Sequence, residues 1–400
     1  MKTVMTKLGD VATYIRGINF KPDDVVPIGT VGSVACMRTK NVQSELDTED
    51  VWAVSDQFVR RAEQYLQEGD LLVSSANSWN LVGKCSWIPA LPLRATFGGF
   101  VSVVRPDATK ISARYLYRWF SSDRIQATLR SFGQQTTNIS NLNADRTLKM
   151  EIPLPPLPEQ RRIADILDRA EALRSKSRAA LALLDTLTQS IFLDMFGDPV
   201  TNPKGWPIAP MGSLFSVKHG FAFKSEHFFD TGDYVLLTPG NFFESGGYRD
   251  RGEKQKYYVG PIPDGYILGV NDILVAMTEQ APGLLGSPIL IPESDRYLHN
   301  QRLGLLEVKS GVEKLFLFHL FNTSYVRNQI QASSSGTKVK HTSPGKIMEV
   351  IIPIPPLPLQ QEFSRRVEAV ERMRASQRSA LAKLDELFAG LQHRAFRGEL

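Results

Sequence analysis

Between Glu159 and about Phe196 the chain contains neither Pro nor Gly, and a set of positions steps along it by alternating three and four: Ile163, Ile166, Ala170, Leu173, Ser177, Ala180, Leu184, Leu187 and Ile191. Such a seam, sustained over about four heptads, predicts a long helix that buries one face against another helix. Adding 200 to each number gives Phe363, Arg366, Val370, Met373, Gln377, Ala380, Leu384, Leu387 and Leu391; only Arg366 breaks this second seam outright, and Val367 beside it fills in. Ser177 and Gln377 place a polar group at the same step of both copies, which tends to fix register at some cost in stability. Roughly 38 residues at about 1.5 Å each make a rod of about 57 Å.

Elsewhere the pattern shifts to short β-rich runs. Asp70-Leu71-Leu72-Val73-Ser74 and Phe100-Val101-Ser102-Val103-Val104 read as strands, and Ser112 stands where it can cap a helix over Ala113–Phe120. The same order returns in Asn271-Asp272-Ile273-Leu274-Val275-Ala276, Leu303-Gly304-Leu305-Leu306-Glu307-Val308 and Leu315-Phe316-Leu317-Phe318-His319-Leu320-Phe321. Ile152-Pro153-Leu154-Pro155-Pro156-Leu157-Pro158 returns as Ile352-Pro353-Ile354-Pro355-Pro356-Leu357-Pro358, Pro353 standing 200 positions after Pro153. A repeat this long marks a duplicated domain-plus-helix module, because solenoid units run roughly 20 to 50 residues. The expected fold class is therefore α+β: two duplicated α/β domains at 1–153 and 198–353, separated by helical regions at 154–197 and 354–400. If the helices pair antiparallel, the halves are pseudo-two-fold symmetric and the C-terminus returns close to the first domain. The prolines make each entry to a helix a stiff, polyproline-like strut. A two-fold protein suits a target with two half-sites, and duplex DNA is the commonest such target.

A net charge of +5 and a pI near 9.0 permit nucleic acid without demanding it. Cys36 and Cys85 both lie in the first half, which excludes a duplicated disulfide framework and points to a reducing compartment; the protein is expected to be cytoplasmic. The N-terminal stretch lacks an apolar core of signal-peptide length and no window approaches 18 uninterrupted apolar residues, so neither secretion nor a membrane span is expected.

Catalytic signatures are missing. No G-x-x-x-x-G-K-[ST] occurs, and Asn202-Pro203-Lys204-Gly205 and Asp198-Pro199-Val200-Thr201 fail as amino-methyltransferase tetrapeptides and read as turns. Asp250, Glu253 and Lys254 superficially suggest a nuclease, but Arg249, Arg251 and Lys256 surround them, as in a solvated charged loop. The six histidines show no metal spacing. DNA readout needs amide, hydroxyl or guanidinium groups on projecting loops, with Lys or Arg nearby for phosphates. Two corresponding places supply them. After the first strand, Asn77, Ser78, Trp79, Asn80 and Lys84 are matched by Thr278 and Gln280; before the proline motif, Gln134, Gln135, Thr136, Thr137 and Asn138 are matched by Thr337, Lys338, Lys340 and His341. Arg16, Asn19, Phe221 and Lys224, around the repeated Gly17 and Gly220, are weaker candidates.

PLPPLPEQRRIADILDRAEAL, a long helix ending in MFGDPVTNPKGWP, and PIPPLPLQ before a C-terminal helix together resemble the specificity subunit of a type I restriction-modification system, over the whole chain. One departure is Leu359-Gln360 where the first copy has Glu159-Gln160. The resemblance implies a non-catalytic subunit with two target-recognition domains that bind a bipartite sequence in double-stranded DNA. The paired helices would set the spacer and dock two methyltransferase subunits, through which restriction subunits join. S-adenosylmethionine and ATP would belong to those partners, leaving no cofactor to this chain. Two other readings stay open: a coiled-coil scaffold whose globular domains bind protein or RNA, and an enzyme fragment with an unseen site.

Overall fold

The computed structural model describes residues 4–135, 139–279, 283–336 and 338–400. Two compact units divide the chain: Met1–Arg178 with Ser379–Leu400, and Ala179–Arg378. Each long helix is therefore shared, its two parts belonging to different units.

In unit 1 an antiparallel sheet runs in the order Ala12–Arg16, Val101–Pro106, Leu71–Ser74, Cys85–Trp87. A second sheet orders Val25–Val26, Trp52–Ser55, Ser33–Met37 and Ala95–Phe97, the last pair parallel. Unit 2 repeats both sheets, with Phe215–His219, Leu303–Val308, Ile273–Ala276 and Pro288–Leu290 in the first and Phe228–Phe229, Tyr257–Tyr258, Tyr234–Leu236 and Tyr297–Leu298 in the second. The unbroken apolar runs at 71–73 and 273–276 are explained by burial on both faces. Leu71 and Val73 join the core under the Ala113–Phe120 helix, while Leu72 joins a second core with Ile15, Met37 and Phe97. Ile273 and Val275 separate from Leu274 and Ala276 in the same alternation.

The Ala113–Phe120 helix has the predicted bounds, but the Ser112 side chain makes no capping hydrogen bond. Instead the Ser112 N–H donates to Gln160 Oε1 at 2.8 Å, and Gln160 Nε2 donates to the carbonyls of Pro155 (2.8 Å) and Lys110 (3.2 Å). Gln360 repeats the arrangement: it accepts from the Glu313 N–H at 3.1 Å and donates to the Pro355 carbonyl at 2.8 Å. Both glutamines are buried. This gives the Pro-Leu-Pro-x-Gln motif a physical role, since the glutamine fastens the start of the long helix to the proline turn and to the neighbouring short helix.

The proline segment itself differs from a free strut. Glu151–Leu154 pairs antiparallel with Val4–Lys7, and Ile351–Pro353 with Ile208–Pro210, so the motif begins as an edge strand. Each long helix starts at the next leucine, Leu157–Phe196 and Leu357–Ala395, with Pro158 and Pro358 in first turns that need no N–H donor there. The first helix ends at Gly197, whose φ of +82° suits glycine, and Trp206 Nε1 donates to the Phe196 carbonyl at 2.9 Å.

The helical seam is also displaced from the expected one. Ile163, Ala170, Ser177, Leu184 and Ile191 face inward as expected, but the alternate positions are Leu167, Arg174, Leu181, Thr188 and Met195, each one residue beyond Ile166, Leu173, Ala180 and their successors. The second helix follows the same rhythm with Phe363, Val367, Val370, Arg374, Gln377, Leu381, Leu384, Phe388, Leu391 and Ala395. Arginine is accepted at the seam because its charge is matched: Arg174 binds Glu171 and Asp385 at 2.6 Å each, and Arg374 binds Glu371 and, at 3.1 Å, Asp185. Within unit 2, Phe363 meets Phe192 and Phe196 while Arg374 meets the Leu184 carbonyl and Asp185, so the helices there run antiparallel.

Candidate nucleic-acid interface

The two stretches singled out in each half meet on one small sheet. In unit 1 the strands Gln134–Gln135, Ser140–Asn141 and Ala76–Asn77 lie side by side, with Asn77 opposite Ser140 and Asn141 opposite Ala76. In unit 2 Thr278–Glu279 pairs with Lys340–His341, Thr278 opposite His341 and Glu279 opposite Lys340. Residues about 60 apart in sequence thus form a single surface, by the same pairing in both units. Equivalent positions carry different chemistry, as surfaces reading different sequences require.

In unit 1 the Asn77 side chain is half-buried and donates to Ser74 Oγ at 3.1 Å, and Ser78 Oγ donates to Asn80 Oδ1 at 2.7 Å, shaping the turn. Ser78, Trp79 and Asn80 project, Trp79 being 54% exposed. Lys84 leaves this surface. Its ammonium donates to Gln43 Oε1 at 2.5 Å, and it lines a cleft of about 1130 Å³ with Arg114, Glu171, Asp385 and Phe388. In unit 2 Lys338, Lys340 and His341 are exposed, and Lys340 Nζ donates to Gln331 Oε1 at 3.1 Å. Thr136, Thr137, Asn138, Gln280 and Thr337 lie outside the described residues.

Three neighbours escaped the reading of the sequence. The Ser75 and Ala76 N–H groups both donate to the Phe100 carbonyl at 3.0 Å, and the Met277 N–H to the Arg302 carbonyl at the same distance. Phe100 is 63% exposed and Arg302 is also exposed, so an aromatic ring and a guanidinium occupy matching places beside the two small sheets. A further loop in each unit is tied to the first sheet or the turn leading into it: Ser86 Oγ donates to the Gln43 carbonyl and Ser287 Oγ to the Phe243 carbonyl, both at 2.6 Å. Asn41 and Asn241, both buried, hold these loops through backbone hydrogen bonds. Comparing the halves at an offset of 200 would have exposed that asparagine.

Gly17 and Gly220 have a plain structural role. A Cβ on Gly17 would lie 2.2 Å from the Gly98 carbonyl oxygen, and one on Gly220 would lie 1.9 Å from that of Asn300. Close approach of two backbones requires glycine at both. The suspected acidic cluster is a turn, in which Asp250 Oδ1 accepts from the Gly252 N–H at 2.9 Å.

A family described as the type I restriction modification DNA specificity domain matches residues 2–182 and 203–385. The chain belongs to that family. This specificity chain is 25% identical over 415 residues to the type I restriction enzyme StySPI specificity subunit of Salmonella potsdam, covering 98% of this chain and 87% of that one. It is 22% identical over 419 residues to the EcoKI specificity subunit of Escherichia coli K12, covering 99% and 89%. Its fold is shared with a chain from a solved structure on assembly of a type I R-M system, at a TM-score of 0.62 and 16% identity, over 99% of this chain and 98% of that one.

Proposed function

We propose that the chain is the non-catalytic DNA-recognition subunit of a type I restriction-modification complex, with the domains at 1–153 and 198–353 each reading one half of a bipartite duplex target. The observation that carries this reading is the repeated small sheet. It gathers the Asn77 to Asn80 turn with the strands Gln134–Gln135 and Ser140–Asn141 in one unit, and Thr278 with the Lys338 to His341 segment in the other. Amides, hydroxyls and an exposed tryptophan suit base edges, and the lysines suit phosphates.

Docking of two methyltransferase subunits has its own support. The positions that the seam leaves outside form an apolar strip on each helix. Leu173 and Leu387 are exposed in unit 1, flanking the Arg174 and Asp385 contact; Leu187 and Met373 are exposed in unit 2, flanking that of Asp185 and Arg374. Leu183 is 71% exposed, and the first helix carries an 18-residue stretch that is apolar enough to cross a membrane by length and composition, 22% of it buried. Apolar surface of this kind on a duplicated helix fits two copies of one helical partner better than a membrane, because charged residues flank it on both helices. Restriction subunits join through the methyltransferases, S-adenosylmethionine and ATP belong to these partners rather than to this chain, and the complex works in the cytoplasm.

Binding of a duplex carrying both half-sites should weaken as salt rises. Replacing Lys338 and Lys340 with Ala should reduce the slope of log affinity against log salt by about one unit for each phosphate that these ammonium groups neutralise. A slope identical to that of the unaltered chain removes this segment from the interface.

A further inference from the structure

Glu279 is a carboxylate only 4% exposed, in the strand that carries the unit 2 surface. Burial opposes its charge, and hydrogen bonds from Gln331 and from the Leu285 and Leu284 backbone more than offset this, so the carboxyl titrates below its usual range. One oxygen, Oε2, accepts the N–H groups of Leu284 at 2.8 Å and Leu285 at 2.7 Å. The other, Oε1, accepts from Gln331 Nε2 at 2.6 Å, and Gln331 Oε1 accepts in turn from Lys340 Nζ at 3.1 Å. The amide of Gln331 is therefore oriented from both ends, donating toward the carboxylate and accepting from the ammonium. Beside it Arg327, drawn down to about 10 by burial, donates to the carbonyls of Gly283 and Glu244. Unit 1 has no carboxylate at the matching strand position, where Asn77 reaches Ser74.

We propose that Glu279 is a specificity-determining positioning residue: through Gln331 it fixes Lys340, and through the Leu284 and Leu285 amides it fixes the strand that presents Thr278 to the DNA half-site read by unit 2. This rests on the reading of the chain as a two-half-site DNA binder. The carboxylate touches no DNA itself. Glu279→Gln cannot satisfy the relay. A neutral amide offers one acceptor oxygen, so either the backbone N–H groups keep it and an NH2 faces the Gln331 NH2, or Gln331 turns over and points its NH2 at the Lys340 ammonium. Adding Gln331→Glu restores the pattern, because the new carboxylate accepts from the amide at 279 and pairs with Lys340.

The test measures binding of the full chain to duplexes altered in one half-site at a time. Glu279→Gln should lower discrimination at the half-site assigned to unit 2 about tenfold, the scale of losing one charge-assisted hydrogen bond, and leave discrimination at the other half-site unchanged. The double variant Glu279→Gln with Gln331→Glu should recover it. Should the single variant melt at a lower temperature, the double variant carries the test, since it keeps the relay charged. Discrimination unchanged in the single variant, or equally reduced at both half-sites, overturns the proposal, as does a folded double variant that fails to recover. An unaltered chain that binds duplex DNA with no two-part preference is a different result, which overturns the DNA-reading assignment beneath it.

Discussion

His299 and His319 stand in unit 2 at places where unit 1 has other residue types, and burial draws both down to about 4. His299 Nε2 lies 3.0 Å from the Leu303 carbonyl, so that nitrogen carries the hydrogen, and the buried Nδ1 finds no partner among the described residues. His319 packs at 5.3 Å on the Phe363 ring, where Arg374 adds repulsion against a second charge. A histidine whose folded value lies below the unfolded one, near 6.5, favours the folded state fully above 6.5 and loses that contribution as pH falls toward 4. Unit 2 should therefore lose about 3 kcal/mol per histidine across this window, at roughly 1.4 kcal/mol per unit. Thermal melts at pH 7 and pH 4.5 check this: His299→Phe, the residue type that Phe97 supplies in unit 1, should flatten the dependence, and an unchanged slope would remove His299 as its source. At this scale the sequence was uneven in what it disclosed. Gly17 and Gly220 stand out because they recur, whereas Gln160 is visible only as part of a motif and Ser112 reads as a cap, because only the fold shows which hydrogen bonds the glutamine takes over.

Strands and short helices were legible wherever apolarity and periodicity agreed, as in Leu71–Ser74, Leu303–Val308 and Ala113–Phe120. The long helices were legible in extent but not in facing. Apolarity favoured Leu173 and Leu187 for the seam, while the chain buries Arg174 and Thr188 one step further on, because Arg174 lays its guanidinium 4.3 Å over the Phe388 ring and binds two carboxylates. Pattern alone cannot weigh a paired arginine against an unpaired leucine, and the leucines so released become the outer strip. The small sheets were invisible in advance as sheets, since two-residue strands carry no periodicity. If the helices set the spacer, inserting seven residues in both, near Ala180 and Ala380, adds about 10 Å, or roughly three base pairs at about 3.4 Å each, while keeping the seam inward. Three base pairs also turn the second half-site by about 100° at about 10.5 base pairs per turn, which should weaken binding. The preferred spacing of selected duplexes reads this out, and a spacing that does not move would mean the helices are not the ruler.

For the whole molecule the 200-residue offset was the strongest statement the sequence made, and the two units follow it down to paired contacts, Gln160 with Gln360 and Arg174 with Arg374, while Gly17 and Gly220 match at an offset of 203. What differs between the halves lies at the small sheets and where each short helix meets the long one. Arg114 and Arg118 bind Asp168 in unit 1, and Leu315 and His319 stand in their places in unit 2. The scaffold was thus legible through its repetition, whereas the candidate surface was legible only as separate stretches, since its residues are those that the repeat leaves free to vary. The proposed function depends above all on one chain reading two separate half-sites, one per unit. Selection from duplexes with two randomised segments at variable separation decides this, using the unaltered chain, with the proposed methyltransferase subunits added, beside a chimera in which residues 1–153 come from a relative. Two enriched segments at one fixed separation are expected, with the chimera changing one segment and keeping the other. A single contiguous motif, or both segments changing together in the chimera, would overturn the two-half-site reading.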